Sequence, residues 1–207
     1  ITREGWFLVL QDAYVVKFDP WFWVVWVSWR GVAWSFWLYH FDDKKFLENN
    51  NIYLRNVCLT DVNDSYYQWL NDPQVNQFLE TRFVVQSKEK IAEFVTSKDG
   101  DPNEILLAIC DKEQDLHIGN IKLGAINWYH RRAEISLLVG NKKYWGKGIA
   151  TQAIQLISEF AFQTLNLNKL MAGAYQNNIG SIKAFQKCGY KIEGEVEDYV
   201  LVNNQGV

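Results

Sequence analysis

The tightest constraint in this chain is a glycine stretch wedged between a strand pattern and a helix pattern. Ala133 to Val139 reads as a strand, Tyr144-Trp145-Gly146-Lys147-Gly148 follows, and the run to about Leu165 sets Ala150, Ala153, Ile154, Ile157 and Ala161 on one helical face. Glycines at a helix start let a ligand approach the backbone, and the unpaired N–H groups of the first turn carry the positive end of the helix dipole. The arrangement suits a phosphate, although glycines before a helix also serve ordinary turns. Neither G-x-x-x-x-G-K-[ST] nor G-x-G-x-x-G occurs, so a P-loop and a dinucleotide fingerprint are both excluded.

The order of elements around this stretch predicts a mixed α/β fold (α+β), a largely antiparallel central sheet with flanking helices. Ile52 to Val57 alternates as a half-buried strand. Thr60 is expected to open a helix with Val62, Tyr66, Trp69 and Leu70 on one face, stopped by Asn71-Asp72-Pro73. Ser87 opens a second helix with Ile91, Phe94 and Val95 turned inward, ended near Gly100. Strands are expected at Ile105 to Cys110, Ile118 to Trp128 and Ala133 to Val139, then at Lys169 to Tyr175 and from Tyr190 onward, with a short helix from Ser181 to Lys187. His117 and His130 read as turn residues without a role.

Residues 1–50 are a different text from residues 51–207. Seven of the ten tryptophans, Trp6, Trp21, Trp23, Trp26, Trp29, Trp34 and Trp37, fall in the first forty residues. Residues 21 to 39 are long enough to span a bilayer as a helix, but Arg30 would sit near mid-membrane, so a membrane partner is not expected. The only Met is Met171, which implies a processed or partial chain. The segment then reads as a Trp-rich extension of separate origin, an anchor, or an added packed hairpin. The net charge of -3, from 21 basic and 24 acidic residues, gives no uniformly basic surface, and no nucleic-acid partner is expected. Cys58, Cys110 and Cys188 form no C-x-x-C pair, which argues against a disulfide framework or a zinc site and fits a reducing cytoplasm.

Y-W-G-K-G-I-A-T-Q-A after a strand, followed by N-N-I-G-S-I-K-A-F-Q-K-C-G-Y, resembles the GNAT superfamily of acetyl-CoA-dependent N-acetyltransferases from about Ile52 to the end. W-L-N-D-P-Q-V, A-E-I-S and N-x-x-S resemble the branch containing the ribosomal-protein alanine N-acetyltransferases. The superfamily's [R/Q]-x-x-G-x-[G/A] signature reads Lys143 to Gly148, with Lys in place of Arg or Gln.

The resemblance implies acetyl-CoA as co-substrate and no metal. Its pyrophosphate would lie on Lys143, Trp145, Gly146, Lys147, Gly148, Ile149, Ala150 and Thr151. Its pantetheine arm would lie in a gap between splayed strands, against Leu137, Leu138 and Val139, with Asn178 bonded to the arm. A tyrosine that protonates the leaving thiolate in many relatives is Phe185 here, so Ser181 is the candidate donor, its other reading being a helix N-terminal residue.

An acceptor amine must lose a proton as it attacks. Glu134 is the candidate base, expected to be buried and so raised in pKa; the alternative is a surface partner for Arg131 or Arg132. Glu80, Trp69, Asn71 and Trp128 are candidates for the acceptor pocket, Trp69 being also a core candidate. The expected activity is transfer of an acetyl group to a primary amine, on a small molecule such as an amino sugar or on a protein N-terminus. A non-catalytic acyl-CoA-binding module is the reading from another class. Asn203-Asn204-Gln205-Gly206 is a hairpin signal without a following strand, which implies an open edge, a strand borrowed from a partner copy in a homodimer, or recruitment of the N-terminal region.

Overall fold

The computed structural model describes backbone and side chains for residues 45–196, and backbone for 13–17, 23–29, 32–36, 201–202 and 205–206. The chain divides into two compact units, Ile1–Asp43 and Lys44–Val207. In the first, β1 (Ala13–Lys17), β2 (Trp23–Trp29) and β3 (Val32–Phe36) form an antiparallel sheet in the order β1-β2-β3. The stretch read as a possible helical span is therefore strand at these positions. Among the described residues no helix is long and apolar enough to cross a membrane.

The second unit is built on six strands in the order β4 (Leu47–Glu48), β5 (Ile52–Asn56), β6 (Ile105–Asp111), β7 (Leu116–Asn127), β8 (Arg132–Val139) and β9 (Lys169–Met171). All neighbours are antiparallel except β8 and β9, which are parallel. β4 stands in the stretch that composition assigns to the extension, yet it pairs with β5. The apolar run of β6 is explained by helices on both faces of the sheet. On one face α4 (Ile149–Gln163) lays Ile149, Ala153, Ile154, Ile157 and Ala161 against Leu107, Ile109, Leu123 and Ile135. Each fully buried Ile contributes about 2 kcal/mol, so this helix is held by its stripe. On the other face α1 (Asp64–Asn71) and α3 (Lys88–Lys98) pack Tyr66, Trp69, Ile91 and Val95 against Leu106 and Leu138.

Several local expectations change. The helix does not open at Thr60: Leu59–Asp61 is a 3-10 turn, and Asn63 caps α1 by accepting from the N–H groups of Ser65 (2.9 Å) and Tyr66 (3.1 Å). Pro73 ends α1 but also begins α2 (Pro73–Asn76), because a proline at the first helical position loses no hydrogen bond. Phe94 is exposed, with the Lys98 ammonium over its ring. α5 spans Ile179–Lys187, starting two residues before Ser181 with Asn178 as its cap. β9 stops at Met171 rather than Tyr175, and residues 190–196 are in no strand. Lys169 instead holds that segment through Glu193 at 2.5 and 2.6 Å. The hairpin signal is realised as β10 (Leu201–Val202) paired with β11 (Gln205–Gly206), Val202 opposite Gln205.

His117 is not a turn residue. It lies in β7, buried beneath the rings of Tyr66 and Trp69, with Nε2 donating to the Gly119 carbonyl (2.9 Å) and Nδ1 facing the Asp61 carboxylate at 3.6 Å. Asp61 is itself buried and grips Arg55 with two bonds of 2.7 Å. This is why the chain turns inward before α1. Burial pushes the Asp61 carboxyl up, but Arg55 and the Cys58 N–H outweigh it and hold the group at about 2, below its ordinary 3.8. Desolvation pushes the His117 imidazole below its ordinary 6.5.

Both shifts make the unfolded chain the better proton acceptor, so stability falls as pH falls. Acid unfolding should therefore begin just below pH 6.5 through His117 and steepen below about pH 4 as Asp61 loses roughly 2 kcal/mol. Melting temperature followed against pH should lose its first phase in His117→Gln. Asp61→Asn, which strands Arg55, should cost about 3 kcal/mol at neutral pH.

Candidate active site

β8 and β9 run side by side over only three registers, Arg132 with Lys169, Ala133 with Leu170 and Glu134 with Met171. Beyond Glu134, β8 continues to Val139 paired with β7 alone, while Ala172 to Asn178 leaves the sheet. The result is a fork whose β8 edge is roughly 16 Å long at the usual strand rise. A Cβ at Gly119 would overlap the Leu138 carbonyl oxygen, so β7 and β8 approach closely only because this residue has none. Leu137, Leu138 and Val139, the expected contacts of a pantetheine arm, line the open edge. The Val139 carbonyl enters the gap already accepting from the Trp145 indole N–H at 2.7 Å.

That tryptophan belongs to the glycine loop. Asn141 caps the 3-10 turn Lys142–Tyr144, after which Gly146 (φ 72°) and Gly148 (φ 76°) take left-handed conformations. Gly148 is the N-cap of α4, and the first helical bond is Gln152 N–H to the Gly148 carbonyl (3.1 Å). The N–H groups of Gly146, Gly148, Ile149, Ala150 and Thr151 donate to no described group. A Cβ at Gly146 or Gly148 would meet nothing within 4 Å, so the approach to these donors is open. Lys143 and Lys147 are exposed beside them, whereas Lys142 is tied across to Asp72 (2.6 Å) and Gln74 (3.0 Å). The side chain of Ile149 is buried, which leaves only its backbone to a ligand.

At the far wall, Asn178 Oδ1 accepts from the Ser181 N–H (3.2 Å). Its oxygen serves the α5 cap, and its amide NH2 is left for any donation into the gap. Ser181 is half-buried in the first turn of α5. Phe185 is buried edge-on against Tyr190, whose hydroxyl meets Ser158 at 2.9 Å.

Glu134 occupies the last paired register, at the crotch of the fork, but its side chain is exposed. The burial expected of it is absent, and it also forms no ion pair with Arg131, which instead bonds Asn166. By strand alternation Glu134 and Ser136 share the α1 and α3 face with Leu138, and no helix covers them. An acceptor can reach the fork from that side.

The expected acceptor residues separate. Trp69 is core, its ring so close to Gly140 that a Cβ there would overlap it. Asn71 is a fastener: its Nδ2 donates to the carbonyls of Tyr67 and Gln86 (both 2.9 Å) and its Oδ1 accepts from Gln86 N (3.1 Å). Trp128 lies beyond the other end of β8, its indole on the Pro102 carbonyl (3.2 Å), so it lines no wall near the glycine loop. Glu80 lies in a 3-10 turn Glu80–Phe83, its carboxylate accepting from the hydroxyl of Tyr175 in the segment that leaves the sheet after β9.

Tyr175, Arg82 and Phe78 were not singled out by sequence reasoning. Arg82 donates to the Tyr175 hydroxyl (3.2 Å) and its guanidinium carbon lies 4.8 Å from the ring centre; Phe78 packs on the other side at 6.0 Å. Two opposite charges two positions apart in E-T-R were the available signal, while the strand expected through Tyr175 hid its part. Among the described residues no group of three or more His, Cys, Asp or Glu could hold a metal ion.

A forked sheet with a glycine-bearing helix N-terminus at the mouth of the fork defines an acyltransferase scaffold. The family model described as acetyltransferase (GNAT) domain matches residues 51–191, and the chain belongs to that family of N-acetyltransferases. An uncharacterized N-acetyltransferase of Bacillus licheniformis, p20, is 32% identical over 157 residues, covering 74% of this chain and 86% of that one. The spermidine N(1)-acetyltransferase of Escherichia coli is 36% identical over 96 residues, 46% of this chain and 50% of its own length. The spermidine N-acetyltransferase of Vibrio cholerae, solved with CoA and spermine, shares the fold with a TM-score of 0.68 at 23% identity, over 76% of this chain and 90% of that one.

Gly148→Val should separate cradle from scaffold. A branched side chain at φ 76° should cost about 1–2 kcal/mol in stability and fill the approach to the N–H groups. The concentration-dependent rise in melting temperature that acetyl-CoA gives the parent protein should disappear. An unchanged rise in a folded variant would place the phosphates elsewhere.

Proposed function

We propose that this protein transfers the acetyl group of acetyl-CoA to a small primary amine by direct attack, with no acyl-enzyme. The observation that carries this reading is the fork: one wall is an unpaired strand edge, its mouth holds outward N–H donors, and its crotch opens to the opposite face beside a carboxylate. Curated relatives that act on spermidine support a small amine, including a polyamine, over a protein N-terminus as acceptor. Three free cysteines fit a reducing cytoplasm as the place of action.

In this reading the N–H groups of Gly146, Gly148, Ile149, Ala150 and Thr151 receive the pyrophosphate, with Lys143 and Lys147 adding charge. The edge from Leu137 to Val139 pairs with the arm, and the Asn178 amide donates to it. An alkyl amine, with a pKa near 10 like that of lysine, is almost wholly protonated at neutral pH, so something must accept its proton. Glu134 does so, directly or through an ordered water that its exposure permits. Ser181 stabilises the departing thiolate, since Phe185 has no proton to give.

Release of free CoA thiol, followed with acetyl-CoA and a panel of spermidine, an amino sugar and a peptide with a free N-terminus, tests the reading. Amine-dependent release is expected, with spermidine ahead. A protein that binds acetyl-CoA and releases none with any amine would instead be an acyl-CoA-binding module. Glu134→Gln should lower kcat/KM by about a hundredfold at pH 7, a loss that shrinks as pH rises and free amine accumulates. Ser181→Ala should cost about tenfold, because water can replace a hydroxyl donor.

A further inference from the structure

The cluster around Arg82 has the form of a cation site with a cation already in it. The guanidinium carbon stands 4.4 Å from the centre of the Phe83 ring and 4.8 Å from that of Tyr175, within the range at which aromatic faces attract positive charge. One of its nitrogens donates to the Gln77 carbonyl (2.7 Å) and the other to the Tyr175 hydroxyl (3.2 Å). The same hydroxyl donates to Glu80, and no Lys or Arg among the described residues forms an ion pair with that carboxylate. Aromatic faces and a carboxylate fixed by a phenol are what a protonated amine requires. The site joins the turn Glu80–Phe83 to Tyr175, four residues past the end of β9, and so flanks the fork.

We propose that Glu80, Tyr175 and Phe83 bind the second positive charge of a diamine or polyamine acceptor, and that Arg82 occupies their place in the free protein. The proposal rests on the small-amine reading above and adds the acceptor's distal charge. The acceptor's ammonium takes the aromatic faces and Glu80 as the Arg82 guanidinium moves to solvent, where its long side chain is readily hydrated. Displacing Arg82, together with repulsion between like charges, weakens binding of any acceptor with a second charge. Arg82 thus sets the concentration at which a diamine begins to be used.

The experiment compares kcat/KM for 1,4-diaminobutane and 1-aminobutane, which differ chiefly in the second ammonium group, in the parent protein, Arg82→Gln, Glu80→Gln and Lys90→Gln. Direct binding of 1,4-diaminobutane is measured by calorimetry alongside. The diamine-to-monoamine ratio should rise at least about fivefold in Arg82→Gln, mainly through KM, with tighter calorimetric binding. It should fall about threefold or more in Glu80→Gln, a readout that stands even if Arg82→Gln fails to fold. Lys90→Gln removes a charge from exposed α3 and should leave the ratio near the parent's.

An unchanged or lower ratio in a folded Arg82→Gln, an unchanged ratio in Glu80→Gln, or an equal rise in Lys90→Gln would overturn the site. If neither amine is acetylated but Arg82→Gln binds the diamine more tightly, the site stands and the acceptor reading falls. If neither amine is acetylated and binding is not tightened, both fall.

Discussion

The three-register parallel contact between β8 and β9 is the constraint on which the rest of the molecule depends. Were the two strands paired along their full length, the backbone groups of Leu137 to Val139 would be spent on the sheet and no slot would exist. A parallel pair is held by evenly spaced bonds with no hairpin to enforce it, so it can be ended wherever one strand is drawn aside. Here Gly119 lets β8 lie close against β7, and Lys169 pairs with Glu193 at the start of β9. Unpaired polar backbone inside a protein is costly, and a ligand that pairs it recovers that cost as affinity.

Charge is distributed to match. The lysines of the glycine loop stand at one end of the fork, and the exposed carboxylates of Glu80 and Glu134 flank it. The largely buried Arg55, Asp61 and His117 group belongs to neither: it seats the turn before α1, and through the contact of His117 with Trp69 it supports the ring that backs Gly140, just past the end of β8. Its polar atoms are therefore far more important to the fold than to the chemistry.

Much of this was legible in the chain because the signals are local. The alternation of β8, the glycines before α4 and the apolar stripe of that helix each lie within one short window, and they predicted those three elements, while the splay of the strands was implied by the family resemblance alone. Glu134 was placed on the right strand but with the wrong exposure, because burial depends on whether a helix covers the face, which no window of sequence reports. The polar atoms of Asn71 and Trp128 are used by Gln86 and Pro102, partners 15 and 26 residues away that no short window reports. Tyr175 was hidden by an apolar run that continued the β9 pattern past the point where the strand leaves the sheet. Asp61 looked like a helix residue until its partner Arg55, on a neighbouring strand, turned the chain inward.

The reciprocal bonds between Asn71 and Gln86 close the stretch from Asp72 to Val85, α2 included, at its base, as a pair of strand residues would. A loop closed at the root can change length or content at little entropic cost and without disturbing the core beneath it. Selection can therefore rewrite this stretch while the cradle and the fork are inherited unchanged. In a lineage built on this fold, sequence turnover should be faster between Gln77 and Val85 than in the sheet.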